Sequence, residues 1–273
     1  MRPDIVFIHG MRGNGSVWDC YRRYFEANGY SCRAPVLRFH DADPLSKPRT
    51  ELGQIGLSQY VEDLSKELRS GGTKPIIIGH SMGGLLAQML AERQLASAAV
   101  LLGPAPIADS MFINMSVLRC FRNIIKQWGF WRKPVRLTYE DSLHALFAKM
   151  DSERQRTLFS ECVHESGKAI FEIGFSFLDR RKAARVTVEN IRCPILIFVG
   201  KEDRITPAAL VRKLARRYGE MATYMELENH SHWLIKEPGW EGIAAYIGYW
   251  LKEKGIAGAK NMRGLANEQS AAD

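Results

Sequence analysis

Along this chain, short unbroken apolar runs alternate with stretches whose apolar residues recur at helical spacing. The run Ile5-Val6-Phe7-Ile8 is followed by His9-Gly10, which predicts a buried strand over residues 4–9 that opens into a glycine-permitted turn. A helix over 17–28, closed by Gly29, and a short strand over 30–34 come next, then a polar loop with several Pro and Gly over 35–57. Tyr60, Val61, Leu64 and Leu68 fall on one face of a helix over 58–69, and Gly71-Gly72 ends it. The same alternation gives strands over 75–78 and 98–103 on either side of a Leu/Ala-rich helix over 82–93.

From about Phe112 to Val186 the alternation stops and helical periodicity takes over, until a fifth strand at 194–200. A helix over 208–218, a sixth strand over 222–227 and a helix over 241–254 complete the pattern. Strand–helix–strand alternation implies a mostly parallel, doubly wound α/β sheet of about six strands. The interruption reads as a helical insertion between the fourth and fifth strands. The expected organisation is a core of 1–108 and 186–254, an insertion at 109–185 and a loose polar tail at 255–273.

Composition narrows the class without changing this picture. At 273 residues, with 46% apolar and 25% charged residues, the chain can bury a full core, and disorder and a membrane channel are disfavoured. The first residues lack the pattern of a secretory signal and no segment approaches eighteen uninterrupted apolar residues, so a cytoplasmic protein without stable membrane insertion is expected. Five widely spaced cysteines with no C-x-x-C pair read as reduced structural thiols. The net charge of +8 is spread rather than blocked; residues 104–190 hold 14 Lys/Arg against 10 Asp/Glu. No nucleic-acid motif accompanies it, so a solvated basic face is expected and no nucleic-acid partner.

The sharpest chemical signal is Gly79-His80-Ser81-Met82-Gly83, a G-x-S-x-G motif at a strand-to-helix junction. A hydroxyl is a weak nucleophile, so it must project from a tight turn within reach of a base, and flanking glycines clear the space. Two histidines after the sixth strand, His230 and His232, compete for that role. The carboxylate that would orient the base is Asp203, just past the fifth strand, with Glu202 and Asp109 as weaker substitutes. Backbone N–H groups of Met82, at a helix N-terminus, and Met11, after His9-Gly10, are candidates for an oxyanion hole.

These residues, together with Gly200-Lys201-Glu202-Asp203, Thr206-Pro207 and His232-Trp233, resemble the α/β-hydrolase superfamily, particularly bacterial carboxylesterases and monoacylglycerol-lipase-like hydrolases. The resemblance spans about residues 3–254. It implies a triad in the order Ser81, Asp203, His232, and Trp233-Leu234 with Glu237-Pro238 following the histidine favours His232 over His230. It also implies that the helical insertion caps the site. Many relatives begin with a two-stranded antiparallel hairpin that is missing here, which makes an exposed sheet edge and a homodimer plausible expectations.

The expected activity is hydrolysis of a small or medium apolar carboxylic ester through an acyl-enzyme, with no cofactor or metal. Lactone, amide, thioester and carbon–carbon bonds are alternatives for the same triad, and a non-catalytic ligand receptor is an alternative for the same fold. Serine at the elbow argues against dehalogenase or epoxide hydrolase chemistry. Phe112, Met115 and Trp128 are candidate substrate contacts, because the start of the insertion carries more large apolar residues than anchoring one helix needs, and Trp233, next to His232, is a fourth. His40, Asp41 and Asp43 read as a solvated loop cluster rather than metal ligands. Gly10, Gly13 and Gly15 do not make a dinucleotide fingerprint.

Overall fold

A computed structural model of the chain describes residues 4–108 and 115–256. The core runs β1 (Ile5–Ile8), α1 (Asp19–Ala27), β2 (Cys32–Arg33), α2 (Leu57–Ser70), β3 (Ile76–His80), α3 (Met82–Glu92) and β4 (Ala98–Leu102). The insertion follows: α4 (Met115–Ile125), β5 (Pro134–Val135), α5 (Tyr139–Ala145), α6 (Ser152–Glu161), β6 (Glu165–Ser166) and α7 (Gly167–Gly174). The core resumes with β7 (Ile195–Gly200), α8 (Ala208–Tyr218), β8 (Ala222–Leu227) and α9 (Trp240–Glu253). The first six residues of the expected insertion and the tail from 257 onward lie outside the described residues.

The six core strands form one parallel sheet in the order β2-β1-β3-β4-β7-β8. Its central strands are unbroken apolar runs because both faces are covered, and consecutive side chains point to opposite faces. Ile5, Phe7, Ile76, Ile78, Val100, Leu196 and Phe198 pack with α1 and α9 on one side. Val6, Ile8, Ile77, Leu101, Ile195 and Ile197 pack with α2, α3 and α8 on the other. Crossovers from β1 run one way to β2 and from β3 the other way to β4. The carboxyl ends of β1 and β3 therefore flank a topological switch point, the place where open α/β sheets bind ligands. Among the described residues no helix is long and apolar enough to cross a membrane.

The insertion is helical apart from a two-stranded antiparallel ladder of β5 with β6, which its periodicity did not announce. Buried polar contacts stitch it to the core. The Glu165 carboxylate accepts hydrogen bonds from His40 Nε2 (3.1 Å), the Arg12 N–H (3.1 Å), the Tyr60 hydroxyl (3.1 Å) and the Ser166 N–H (2.7 Å). Glu172 accepts from the Leu57 N–H at 2.6 Å, and Ser166 Oγ donates to the Ile55 carbonyl at 2.6 Å. His40 is thus fully buried in an ion pair with Glu165, not part of a solvated cluster with Asp41 and Asp43. Burial disfavours both charges, but their mutual attraction and hydrogen bond win: the His40 pKa is raised and that of Glu165 lowered. No group of acidic, His or Cys side chains suited to a metal occurs among the described residues.

Candidate active site

Ser81 sits between β3 and α3 with φ 54° and ψ −119°, a backbone region that costs a non-glycine residue on the order of 1–3 kcal/mol. Its neighbours impose that shape. The Ser81 N–H donates to the Leu102 carbonyl at 3.0 Å, and its own carbonyl accepts from Gly84, Leu85 and Ala105 N–H groups at 2.9, 3.2 and 2.9 Å. A methyl group on Gly83 would run into the Ile8 carbonyl, and one on Gly79 into the Gly83 carbonyl. Glycine at those two positions lets α3 begin against the end of β1, which presents Ser81 at the sheet's carboxyl edge.

His232 lies beyond β8, and its Nδ1 is 2.7 Å from Asp203 Oδ2. A carboxylate only accepts, so Nδ1 carries the proton and Nε2 of the neutral ring is left as acceptor. Asp203 is held in turn. Its Oδ1 accepts from the Ile205 and Thr206 N–H groups at 2.8 and 2.7 Å, and its Oδ2 from the Thr206 hydroxyl at 2.7 Å. Burial alone would raise the Asp203 pKa, but the charge and hydrogen bond of His232 and the two Thr206 donors hold it below the usual carboxylate range. Gly103 closes the arrangement underneath with φ +50°, and a Cβ there would come within 3.2 Å of Asp203 Oδ2 and 3.4 Å of His232 Nδ1.

The competing candidates fall elsewhere. His230 pairs with Glu237 at 3.3 Å, and Glu202 pairs with Lys149 at 2.5 Å on the surface. Asp109 lies outside the described residues. Two further histidines, which the motif reading passed over, brace the site. His80 Nε2 donates to the His232 carbonyl at 2.8 Å, and burial followed by the nearby His232 pushes its pKa down to about 3, so it remains neutral. His9 Nε2 accepts from the Leu37 N–H at 3.1 Å, which leaves Nδ1 to donate to the Gly10 carbonyl at 2.9 Å and pin the turn before Met11.

Ser81, His232, His80 and Met11 line one cavity of about 230 Å³ with Trp233 and much of the insertion. The helix α4 contributes Val117, Leu118, Phe121, Ile124 and Ile125, the α7 segment Ile170, Ile173 and Phe175. The inner face of α4 thus carries Leu118 and Phe121 and not Met115. Met115 is 77% exposed because it points about 120° away from that face, and Trp128 is 85% exposed past the helix end, stacked edge-on against Trp131. Phe112 lies outside the described residues; of the other three expected contacts Trp233 lines the cavity, and Met115 and Trp128 do not. The Met82 N–H is the first of α3 and has no intrahelical acceptor.

A sequence model of the alpha/beta hydrolase family matches residues 5–244. The chain belongs to that family. It is similar to a protein described as "Putative carbamate hydrolase RutD" from Escherichia coli O44:H18, at 25% identity over 220 residues that cover 78% of this chain and 77% of the relative. Among solved structures it is similar to the monoacylglycerol lipase of Paleococcus ferrophilus, with TM-score 0.66 and 21% identity over 90% of this chain and 93% of that one. A methylesterase of Arabidopsis aligns with TM-score 0.68 and 16% identity over 92% and 99% of the two chains. At those identities the structural likeness establishes the shared hydrolase fold.

Proposed function

We propose that the protein is a serine hydrolase of carboxylic esters that works through an acyl-enzyme. Ser81 attacks the carbonyl carbon while His232 Nε2 takes the hydroxyl proton, and His232 returns that proton to the leaving alkoxide. Water, activated by the same nitrogen, then releases the acid. Asp203 keeps the ring in the tautomer that leaves Nε2 free and stabilises the imidazolium that forms. The N–H groups of Met82 and Met11 receive the charge that develops on the carbonyl oxygen, the former helped by the α3 dipole.

The observation that carries this reading is the 2.7 Å His232–Asp203 pair, whose histidine lines one cavity with a serine held in a strained strand-to-helix turn. The apolar inner faces of α4 and α7 suit an apolar acyl or alcohol group, with the insertion as cap over Ser81. The likeness to a putative carbamate hydrolase favours one second substrate class, since the same nucleophile attacks a carbamate carbonyl. The test is labelling by a fluorophosphonate together with turnover of p-nitrophenyl esters and of the matching carbamates. Wild type labels and turns over esters faster, and Ser81→Ala, folded by circular dichroism, does neither. A folded Ser81→Ala protein with substantial turnover would refute the mechanism.

A further inference from the structure

Arg12 follows the turn that carries Met11 and adopts φ 64°, unusual for a residue with a long side chain. Its backbone is fixed on both sides: the N–H donates to Glu165 and the carbonyl accepts from the Val163 N–H at 3.0 Å. The side chain is 3% exposed and lines the same cavity as Ser81 and His232. Its Nη1 donates to Ser142 Oγ at 3.1 Å, whereas Nε and Nη2 are buried with no hydrogen-bond partner among the described residues. Those two nitrogens form one edge of the planar guanidinium. That edge grips two oxygens of one anionic group in parallel.

The surroundings leave that edge without an acceptor among the described residues. Glu165, the carboxylate bonded to Arg12, meets the backbone N–H rather than the guanidinium and is already shared with His40. Arg136 adds a second cation: its Cζ lies 4.9 Å, and that of Arg12 6.0 Å, from the centre of the Phe159 ring. A buried guanidinium edge without an acceptor is costly to maintain. It is the kind of feature found where a ligand supplies the acceptor.

We propose that the cavity takes esters whose acyl or alcohol part also carries a free carboxylate, and that Arg12 is the specificity-determining residue that binds that carboxylate side-on. This rests on the ester-hydrolase reading above. A carboxylate suits the cavity better than a phosphate, because the free edge offers two parallel donors and the cavity's lining, Val135, Leu137 and Leu146 included, is mostly apolar.

The test is calorimetric binding to Ser81→Ala of monomethyl esters of straight-chain dicarboxylic acids, succinate to suberate, beside the dimethyl esters of the same acids. Over some chain length the monoesters bind about 10- to 100-fold more tightly, the scale of a charged hydrogen-bonded pair. Adding Arg12→Met removes that preference, and Arg12→Lys restores only part of it, because a point charge lacks the two-donor edge. Equal binding of mono- and dimethyl esters throughout the series overturns the proposal without any Arg12 variant. Tighter binding of a monoalkyl phosphate of matching length overturns the choice of carboxylate. Turnover separates the two readings: if wild type hydrolyses dimethyl esters best and Arg12→Met leaves that ranking unchanged, the Arg12 assignment falls and the ester reading stands. If monoesters bind but no ester is hydrolysed, the carboxylate site stands and the ester reading falls.

Discussion

Glu165→Gln removes one charge and little volume from the buried junction between insertion and core, so its effect reports the ionic contact together with the hydrogen bonds that only a carboxylate can accept. The carboxylate accepts from four donors, two on each oxygen: His40 Nε2 and the Arg12 N–H on Oε2, Tyr60 and the Ser166 N–H on Oε1. A carboxamide serves one pair through its oxygen and turns its NH₂ against the other, leaving two buried donors unsatisfied at about 1–3 kcal/mol each. Loss of one partner from a buried pair costs about 3–5 kcal/mol by a separate route, so about 4 kcal/mol is expected. For a chain of this size that corresponds to a fall in Tm of roughly 10 °C.

The loss depends on pH in a direction that the pKa shifts fix. The His40 pKa is raised above 6.5, so its contribution is full below 6.5 and fades as pH rises through the folded value. The Glu165 pKa is lowered below 4.5, so its contribution is full above 4.5 and fades as pH falls through the folded value. Thermal melts of both proteins from pH 4 to 9 should therefore differ most between the two reference values, with the gap narrowing on the alkaline side. A variant that melts within a degree of wild type at pH 6, or a gap that widens toward pH 9, would refute the reasoning.

Asp203→Asn keeps an oxygen for the Ile205 and Thr206 N–H groups but turns an NH₂ toward His232 Nδ1, which forces the proton onto Nε2. The kcat for a p-nitrophenyl ester should drop roughly 10⁴-fold with the fold retained; a drop below tenfold contradicts the tautomer argument. His232→Ala should approach the Ser81→Ala level while His230→Ala, bonded only at the Glu237 side, keeps most activity, and the opposite ranking reassigns the base. In the insertion, Phe121→Ala or Ile124→Ala should shift the preferred ester chain length by about 1–3 kcal/mol of discrimination. Met115→Ala should leave that profile parallel to wild type, and matching profiles for all three variants would remove α4 from substrate selection.

Strand and helix positions were legible where the sequence is redundant. Ile5–Ile8 and Ile195–Gly200 appear within a residue or two of their apolar runs, because a strand buried on both faces has no other way to be written. The motif singled out Ser81, the place after β7 offered Asp203, and the place after β8 offered both His230 and His232, between which only the resemblance carried by Trp233-Leu234 and Glu237-Pro238 chose. The phase of α4 was not legible: its apolar residues cover more than one face, so pattern alone did not separate Leu118 and Phe121, which line the cavity, from Met115, which does not. Arg12, His9 and His80 were visible only as neighbours of backbone positions that carried the argument. Their roles depend on partners 28 to 153 residues away in the chain, such as Leu37, Glu165 and His232. Local pattern holds no record of such pairings.

The buried stitches between insertion and core also bear on how such proteins diversify. Exchanging the insertion for another is attractive as a route to new specificity, since its two ends meet where the Ala108 N–H donates to the Ala184 carbonyl at 2.8 Å. Here the segment's polar anchors, Glu165, Ser166 and Glu172, are matched to Tyr60, His40, Ile55 and Leu57 in a different stretch of the core. A transplanted segment without those anchors would strand His40 and the Arg12 N–H in the interior. Recombination is therefore constrained to carry residues 37–60 along with the insertion, so that the heritable unit of specificity is a discontinuous pair of segments.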